Sequence, residues 1–150
     1  MGKAISLAMS NVTSLKGGPF GAVIVKNGKI IGSGNNQVTL LNDPSAHAEI
    51  MAIRDASKNR NTFDLSGCEI YSSCEPCPMC LGAIYWARLD KLYYASTKDD
   101  AAAADFDDSH IYKEFALPKE ERRLQSVQMM RDEAVKVFDE WIHSDNKISY

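Results

Sequence analysis

The sequence predicts an α/β domain in which helices flank a mixed, layered β-sheet. Predicted strands and helices alternate through the middle of the chain, as in layered α/β folds. The dipeptide Asn27-Gly28 separates two short apolar runs and favours a tight hairpin. A length of 150 residues suits one domain with its own core. No repeat or linker divides the chain, so we expect a single domain over residues 1–150.

The element boundaries follow from periodicity and capping residues. Ile5, Met9 and Val12 recur at helical spacing and predict an amphipathic helix over residues 1–15. Asp43 is a suitable N-cap, with Pro44 next to it, for a helix over about residues 45–58. The remaining expected elements are strands at 22–25, 29–31, 69–73, 91–95 and 124–129, and helices at 78–87, 101–104, 110–115 and 131–142.

Composition narrows the class of protein. The chain is 45% hydrophobic and 25% charged with a net charge of -3, which is ordinary for a soluble globular protein. A protein that grips many phosphates usually has a basic patch, so the charge disfavours a nucleic-acid partner. No run of about 18 apolar residues predicts a membrane span. We expect a cytoplasmic protein, where four cysteines more often indicate metal or redox chemistry than disulfides.

Two short motifs carry the chemistry: His47-Ala48-Glu49, and Cys77 with Cys80 in the segment PCPMC. This combination is the signature of zinc nucleobase deaminases. Cys77 and Cys80 are three residues apart at a predicted helix start, so both sulfurs face the same way. One imidazole from His47 and two thiolates give zinc three protein ligands and leave its fourth position for water, the catalytic arrangement.

Glu49 is the expected proton carrier. Bound zinc lowers the pKa of water to about 7, which makes it a nucleophile for a ring carbon that bears an amino group. A proton must then move from the attacking oxygen to the ring nitrogen and on to the departing amine. Glu49, two residues from His47, is placed to act as this general acid and base. Helical geometry makes it a poor fourth ligand.

Other readings of the cysteines are weaker. A redox pair would open a thioredoxin-like βαβ unit, and the sequence predicts none. Cys74, Cys77 and Cys80 match the start of a ferredoxin iron–sulfur run, but Ile84 and Tyr85 stand where a fourth cysteine and a proline are needed. Cys74 is left as an alternative ligand, although a core thiol is favoured there. Cys68 is expected to be a core or surface thiol.

The motifs resemble the cytidine-deaminase superfamily. Within it, the segments GGPFG (residues 17–21), FDDS (106–109) and IYKE (111–114) are similar to the bacterial guanine deaminases. The similarity is close over about 100 residues, weak over about 118–143, and returns at Tyr150. It implies a three-layer α/β/α cytidine-deaminase-like fold with a five-stranded mixed sheet, and one Zn²⁺ per chain. It also implies a homodimer that exchanges the C-terminal segment of about residues 131–150.

The resemblance further implies hydrolysis of guanine to xanthine and ammonia, and it assigns the substrate-binding residues. Asn36 resembles the amide that orients the base, and Asp108 the carboxylate that accepts hydrogen bonds from the guanine edge. An ionised carboxylate suits the adjacent N1–H and amine donors of guanine, whereas adenine has an acceptor at N1. The other implied substrate contacts are Phe20 and Trp86 as aromatic walls, Ala48, and Tyr150 as the group that closes the pocket.

Alternatives stay open at this point. Trp86 also fits a core position, Asn36 a turn, and Asp107 and Asp108 helix caps. A tRNA adenosine deaminase shares the zinc motif, but residues 98–109 hold five Asp against one Lys, which would repel RNA. A deaminase of another free base, such as cytosine, is a further alternative. A zinc protein without catalysis would not need Glu49.

Overall fold

The computed structural model describes all residues, 1–150, as two compact units, Met1–Ser109 and His110–Tyr150. The first unit is α/β: a four-stranded sheet with α-helices. Its strands are β1 (Gly21–Lys26), β2 (Lys29–Asn35), β3 (Glu69–Cys74) and β4 (Lys91–Ser96). Its helices are α1 (Gly2–Ser14), α2 (Val38–Leu41), α3 (Ala48–Arg60), α4 (Pro78–Trp86) and α5 (Lys98–Ala102).

The sheet is mixed and has the strand order β2-β1-β3-β4. β1 pairs antiparallel with β2 and β3, whereas β3 and β4 run parallel and are connected through α4. Asn27 and Gly28 have φ values of 50° and 75° at the β1–β2 turn. Positive φ at both central residues is what a tight hairpin turn requires, so the predicted hairpin is confirmed.

The prediction of a fifth strand is wrong for this chain. Residues 124–129 form no strand, and Leu124, Val127 and Met129 are each more than three-quarters exposed. A strand is stable only when its backbone groups are paired with a neighbour, and β-forming side chains do not supply that neighbour. The sheet therefore has four strands rather than five.

The core is built on close contact between α3 and β2. Ala48, Ala52 and Ala56 are fully buried along one face of α3. A Cβ atom on Gly34 of β2 would lie 2.4 Å from the Ala48 carbonyl oxygen and 2.5 Å from the Ala52 nitrogen. Because only hydrogen fits there, glycine on the strand and alanine on the helix bring the two backbones together. This contact fixes the start of α3 against the sheet.

Several helices differ from the prediction. α5 covers Lys98–Ala102 rather than residues 101–104, and α2 was not predicted. α3 begins at Ala48 rather than near residue 45, because Asp43 accepts hydrogen bonds from the Ser45 N–H and hydroxyl (2.8 and 2.6 Å) in a turn of its own. In α1, the face with Ile5 and Met9 is about half exposed. The buried face of α1 consists instead of Ala4, Ala8 and Asn11.

The second unit contains most of α6 (Ser109–Ala116), a 3-10 turn at Lys119–Glu121 and α7 (Arg131–His143). α6 and α7 agree with the helices predicted at 110–115 and 131–142. Arg122 and Arg123 connect α6 to the following segment through hydrogen bonds to the Leu117 carbonyl (3.0 Å) and the Glu114 carboxylate (2.8 Å). No helix in either unit combines the length and apolar character needed to cross a membrane.

Candidate active site

The structure brings together the three predicted metal ligands from two distant parts of the chain. The ligand atoms of His47, Cys77 and Cys80 all lie within 4.8 Å of one another. His47 Nδ1 is 3.6 Å from Cys77 Sγ and 3.5 Å from Cys80 Sγ. Cys80 is fully buried and the other two are partly buried. These three residues are called the His/Cys cluster below.

Two helix N-termini converge on the His/Cys cluster. His47 is the N-cap of α3, and Cys77 is the N-cap of α4, with Pro78 at the favoured first position and Cys80 in the first turn. The first N–H groups of a helix have no intrahelical partner and give its N-terminus a partial positive charge. That charge favours thiolates at the start of α4.

The hydrogen bond between the two cysteines shifts their pKa values in opposite directions. The pKa of Cys77 is lowered to about 4, chiefly because the Cys80 thiol donates a hydrogen bond to it. The same hydrogen bond, together with burial and the charge of Glu49, raises the pKa of Cys80. A hydrogen bond to Cys77 raises the pKa of His47. Of the two cysteines, Cys77 is therefore the one whose surroundings favour the thiolate.

The donor set of the His/Cys cluster fits zinc. Thiolate sulfur and imidazole nitrogen are ligands that zinc accepts readily, with bonds of about 2.0–2.3 Å. Three atoms on such bonds around one ion lie about 3.3–3.8 Å apart in a tetrahedral arrangement. The two nitrogen–sulfur separations in the cluster fall in this range. Three ligands also leave one of four positions for a water molecule.

Glu49 lies next to the His/Cys cluster without belonging to it. It is in the first turn of α3 and only 5% exposed. Its Oε1 accepts a 2.8 Å hydrogen bond from the buried Ser72 hydroxyl on β3. This bond holds one carboxylate oxygen, and a hydrogen bond with Cys80 brings the Glu49 carboxylate against the His/Cys cluster. Ser72 is not among the residues predicted for the site, although the alternation of β3 places it on the same face as the core residue Ile70.

Cys74 and Cys68 lie outside the His/Cys cluster. Both are nearly inaccessible, at 5% and 1% exposed. Cys74 Sγ donates to the Thr97 carbonyl at 3.5 Å. Burial raises the pKa of both thiols, which keeps them protonated at neutral pH. Both therefore have the properties of core thiols.

Asn36 presents an amide donor. It is 7% exposed, and its Oδ1 accepts hydrogen bonds from the Gly18 and Val38 N–H groups at 3.3 and 3.2 Å. Since both of these partners are donors, the amide orientation is determined, and the NH2 group must point elsewhere. No hydrogen bond within the chain uses Nδ2. This nitrogen is therefore available to a ligand.

Asp108 lies within electrostatic reach of the His/Cys cluster. Its pKa is raised by burial first and by the charge of Cys77 second. The charge of Asp108 in turn contributes to the raised pKa of His47. The neighbouring Asp107 has a different role, because its Oδ1 accepts a 2.8 Å hydrogen bond from Ser109 N at the start of α6. This bond spans two residues and forms a local turn directly before α6, so Asp107 does not occupy the N-cap position.

The other predicted substrate contacts are placed unequally. Phe20 is partly buried and meets Phe106 edge to face, with ring centroids 5.0 Å apart. Ala48 is the first residue of α3, where the backbone N–H has no helical partner. Trp86, the last residue of α4, is 69% exposed, so it is not a core residue. Tyr150 belongs to the second unit. The substrate roles of these residues stay predictions.

The model of the "Cytidine and deoxycytidylate deaminase zinc-binding region" family matches residues 1–96. The chain belongs to this family. It is 52% identical to the guanine deaminase of Bacillus subtilis over 148 residues, which cover 99% of this chain and 95% of that protein. It is 46% identical to the tRNA-specific adenosine deaminase of Aquifex aeolicus over 78 residues, 52% of each chain.

Two solved structures of guanine deaminases also resemble this chain. The X-ray structure of Bacillus subtilis guanine deaminase superposes with a TM-score of 0.95 over 99% of this chain and 94% of that one, at 52% identity. A structure of guanine deaminase from Nitrosomonas europaea has a TM-score of 0.68 and 31% identity, over 93% of this chain and 80% of that one. The likeness to guanine deaminases therefore extends beyond residue 96, where the family model ends.

Proposed function

We propose that this protein hydrolyses free guanine to xanthine and ammonia. The observation that carries the proposal is similarity along the whole chain: 52% identity to a guanine deaminase over 99% of the sequence, with a TM-score of 0.95. Similarity to the tRNA-specific adenosine deaminase of Aquifex aeolicus covers only about half of the chain. The match to the family model ends at residue 96, before Asp108. The assignment of Asp108 therefore depends on the similarity to guanine deaminases, which continues along the whole chain.

His47, Cys77 and Cys80 are the proposed zinc ligands. When bound, zinc supplies an electrophile that lowers the pKa of water to about 7 and so provides a nucleophile at neutral pH. The protein contributes a preformed donor set, since the three ligand atoms already lie within 4.8 Å of one another. It also contributes two helix N-termini that stabilise thiolate charge.

Glu49 is the proposed proton carrier. Its carboxylate takes a proton from the attacking water as the oxygen bonds to C2 of guanine. It delivers that proton to N3, the ring nitrogen next to C2 that carries no hydrogen. It then transfers the second proton of the water to the exocyclic nitrogen. The C2–N bond breaks and ammonia leaves, which gives xanthine and returns Glu49 to its ionised state. Ser72 orients the carboxylate by donating to Oε1, and we assign the proton transfers to Oε2.

Guanine is selected by hydrogen bonds around the ring. Asp108 accepts from N1–H and the amine, which are adjacent donors on guanine. Asn36 donates Nδ2 to an acceptor of the base, and the Ala48 N–H provides a further donor at the start of α3. Phe20 forms an aromatic wall, and Trp86 forms a second. A base without the donor pair would leave Asp108 desolvated and unpaired, which is costly.

The C-terminal segment is proposed to complete the site of a partner chain. Apolar side chains of α7 and the tail are largely exposed in the single chain: Val137, Phe138, Trp141, Ile142, Ile148 and Tyr150. Such a surface is unusual on a monomer and is normally covered by another protein surface. Exchange of residues 131–150 in a homodimer would cover it and place Tyr150 over the opposite site.

The competing function is deamination of adenosine in tRNA, which the partial similarity to the Aquifex aeolicus protein favours. Ammonia release from guanine, adenine, cytosine, cytidine and an adenosine-bearing tRNA anticodon stem-loop, measured in parallel, separates the candidates. We expect release from guanine. Release from the RNA and none from guanine would replace the proposal with the alternative.

A cytoplasmic location is also part of the proposal. It is supported by the four cysteines, which are all free thiols.

A further inference from the structure

Asn11 is a buried polar residue on the face of α1 that otherwise carries small apolar side chains. It is 1% exposed and follows Ala4 and Ala8 on the buried face of the helix. A Cβ on Gly21 of β1 would lie 2.3 Å from the Ala4 carbonyl oxygen, so α1 contacts the sheet backbone directly. Asn11 is therefore held by a fixed helix, and its amide needs partners because burying it unpaired is costly.

The amide of Asn11 connects the two segments that hold Asn36. Its Nδ2 donates to the Asn36 carbonyl at 2.7 Å and to the Gly18 carbonyl at 3.0 Å. Its Oδ1 accepts from Asn35 Nδ2 at 2.6 Å. The Gly18 N–H in turn donates to Asn36 Oδ1. One side chain thus fixes both the backbone of Asn36 and the loop that orients the Asn36 amide.

The backbone next to Asn36 has little freedom to compensate. A Cβ on Gly17 would lie 2.2 Å from the Asn36 carbonyl oxygen and 3.0 Å from Asn11 Nδ2. The Asn36 N–H donates to the Phe20 carbonyl at 3.1 Å, which connects the same segment to the Phe20 wall. If Asn11 lost its two donors, both carbonyls would lose a partner in a buried site, and the segment would shift.

We propose that Asn11 is a positioning residue for base recognition, acting through Asn36 to aim the free Nδ2 at the substrate. The proposal rests on the proposed function, because it assigns Asn36 to guanine binding. The Asn11 side chain bonds to Gly18, Asn35 and Asn36 and not to the His/Cys cluster or Glu49, so its removal affects binding of the base rather than the metal or the proton transfers. A merely structural residue would affect stability without this selectivity.

The test measures guanine affinity by calorimetry on zinc-loaded protein in a Glu49→Gln background, where turnover is blocked. Asn11→Asp keeps the acceptor for Asn35 and removes both donors. We expect about tenfold weaker guanine binding, with the zinc content unchanged. Asn59→Asp is the matched control, because Asn59 Nδ2 also donates to a backbone carbonyl, that of Ile31, at 3.0 Å. It should leave guanine affinity unchanged.

A second comparison shows whether Asn11 acts through Asn36. In an Asn36→Ala background, Asn11→Asp should change guanine affinity by less than about twofold, since the group that it positions is gone. An equal loss of guanine affinity in both backgrounds, or no loss in either, would overturn the proposal.

Asn11→Ser, which is too short to reach both carbonyls, replaces Asn11→Asp if the buried charge prevents folding. Failure of both variants to fold would assign a structural role and overturn it as well. If the unmodified protein neither binds nor deaminates guanine, the proposed function fails, and the role of Asn11 falls with it.

Discussion

Glu49 is buried, and one of its carboxylate oxygens accepts a hydrogen bond from Ser72. An amide can keep this bond, so the need for a carboxylate can be tested separately. Glu49→Gln preserves the shape and the acceptor for the Ser72 hydroxyl but removes the proton acceptor. We expect zinc content to be retained while kcat falls by about 10²–10⁴-fold or more. Steady-state ammonia release and metal analysis on the same preparation measure both.

Glu69→Gln is the control for this change. Glu69 also accepts a hydrogen bond from a hydroxyl, that of Tyr71, at 2.9 Å, but it lies on β3 outside the His/Cys cluster. Its amide variant should keep near-native turnover. Near-native turnover of Glu49→Gln would exclude Glu49 as the proton carrier.

The proposed zinc site includes Cys80 but not Cys74, although both cysteines are buried. Cys80→Ser removes a thiolate from the His/Cys cluster and should strongly reduce bound zinc, because a hydroxyl is a poor zinc ligand at neutral pH. Cys74→Ser changes a thiol whose partner is the Thr97 carbonyl, and it should retain one zinc per chain. Metal analysis of both variants after dialysis measures the difference. Zinc loss from Cys74→Ser with retention in Cys80→Ser would contradict the assignment.

Asp108 is the residue expected to set the preference for guanine. Asp108→Ala removes the acceptor for the N1–H and amine pair and should lower kcat/KM for guanine by about 10²-fold. Asp107→Ala, next to it, should keep most of the activity, because Asp107 contacts the start of α6. Initial rates on guanine and adenine give the preference. If the guanine-to-adenine ratio of Asp108→Ala equals that of the unmodified protein, Asp108 does not select the base.

At the level of elements, the contact between α3 and β2 positions both His47 and Glu49. Gly34→Ala would place a methyl group 2.4 Å from the Ala48 carbonyl oxygen, so α3 must move or strain. We expect the free energy of unfolding to fall by about 1–3 kcal/mol, the usual cost of overpacking. Zinc affinity should fall with it, since Ala48 follows the proposed ligand His47. Chemical denaturation and metal titration measure these changes.

Gly2→Ala is the control substitution, because a Cβ at Gly2 meets nothing within 4 Å. Its unfolding free energy should stay within about 0.5 kcal/mol of the starting value, as for most surface changes. Equal stability of the Gly34→Ala and Gly2→Ala variants would show that α3 and β2 are not in the close contact described.

Turn and capping residues in the sequence predicted the four observed strands, α3 and α4, because such residues act over only a few positions. Asn27-Gly28 identified the hairpin, and Pro78 identified the start of α4. The His/Cys cluster was also predictable, since His47, Cys77 and Cys80 lie in motifs with fixed spacing. Competing local interactions were not predictable. Asp43 had two possible partners, a helix terminus and Ser45, and the structure shows the second.

Features that depend on tertiary contacts could not be predicted from the sequence. Helical spacing marked Ile5, Met9 and Val12 as the buried face of α1, yet Ala4, Ala8 and Asn11 are buried because small side chains permit close approach. Asn11 and Ser72 were missed because a buried polar residue is recognisable only once its partners are known. The expected strand at 124–129 failed for the same reason, since strand pairing requires a neighbour.

At the level of the whole molecule, the proposed C-terminal exchange in a homodimer predicts complementation between two inactive variants. One carries Glu49→Ala with an intact tail, and the other keeps Glu49 but lacks residues 146–150. Refolded together, half of the dimers should be mixed by random pairing. In a mixed dimer with exchanged tails, the site with Glu49 receives the intact tail, so about a quarter of all sites should recover.

The outcome of this mixing experiment distinguishes exchanged tails from tails that close their own site. Without exchange, every site still lacks one part, and no activity returns. No recovery, with mixed dimers confirmed by mass spectrometry, would refute the exchange. Full activity of the tail-deleted variant alone would show that Tyr150 has no role in catalysis.

The most direct test of the central claim follows the fate of water during the reaction. Zinc-loaded protein is mixed with guanine in water enriched in a heavy oxygen isotope, and the products are analysed by mass spectrometry and an ammonia assay. The account predicts equimolar xanthine and ammonia, with one heavy oxygen in each xanthine and product formation slowed by at least about 10²-fold in the Glu49→Gln variant. Unchanged guanine in the presence of fully zinc-loaded protein, or xanthine without solvent oxygen, would contradict it.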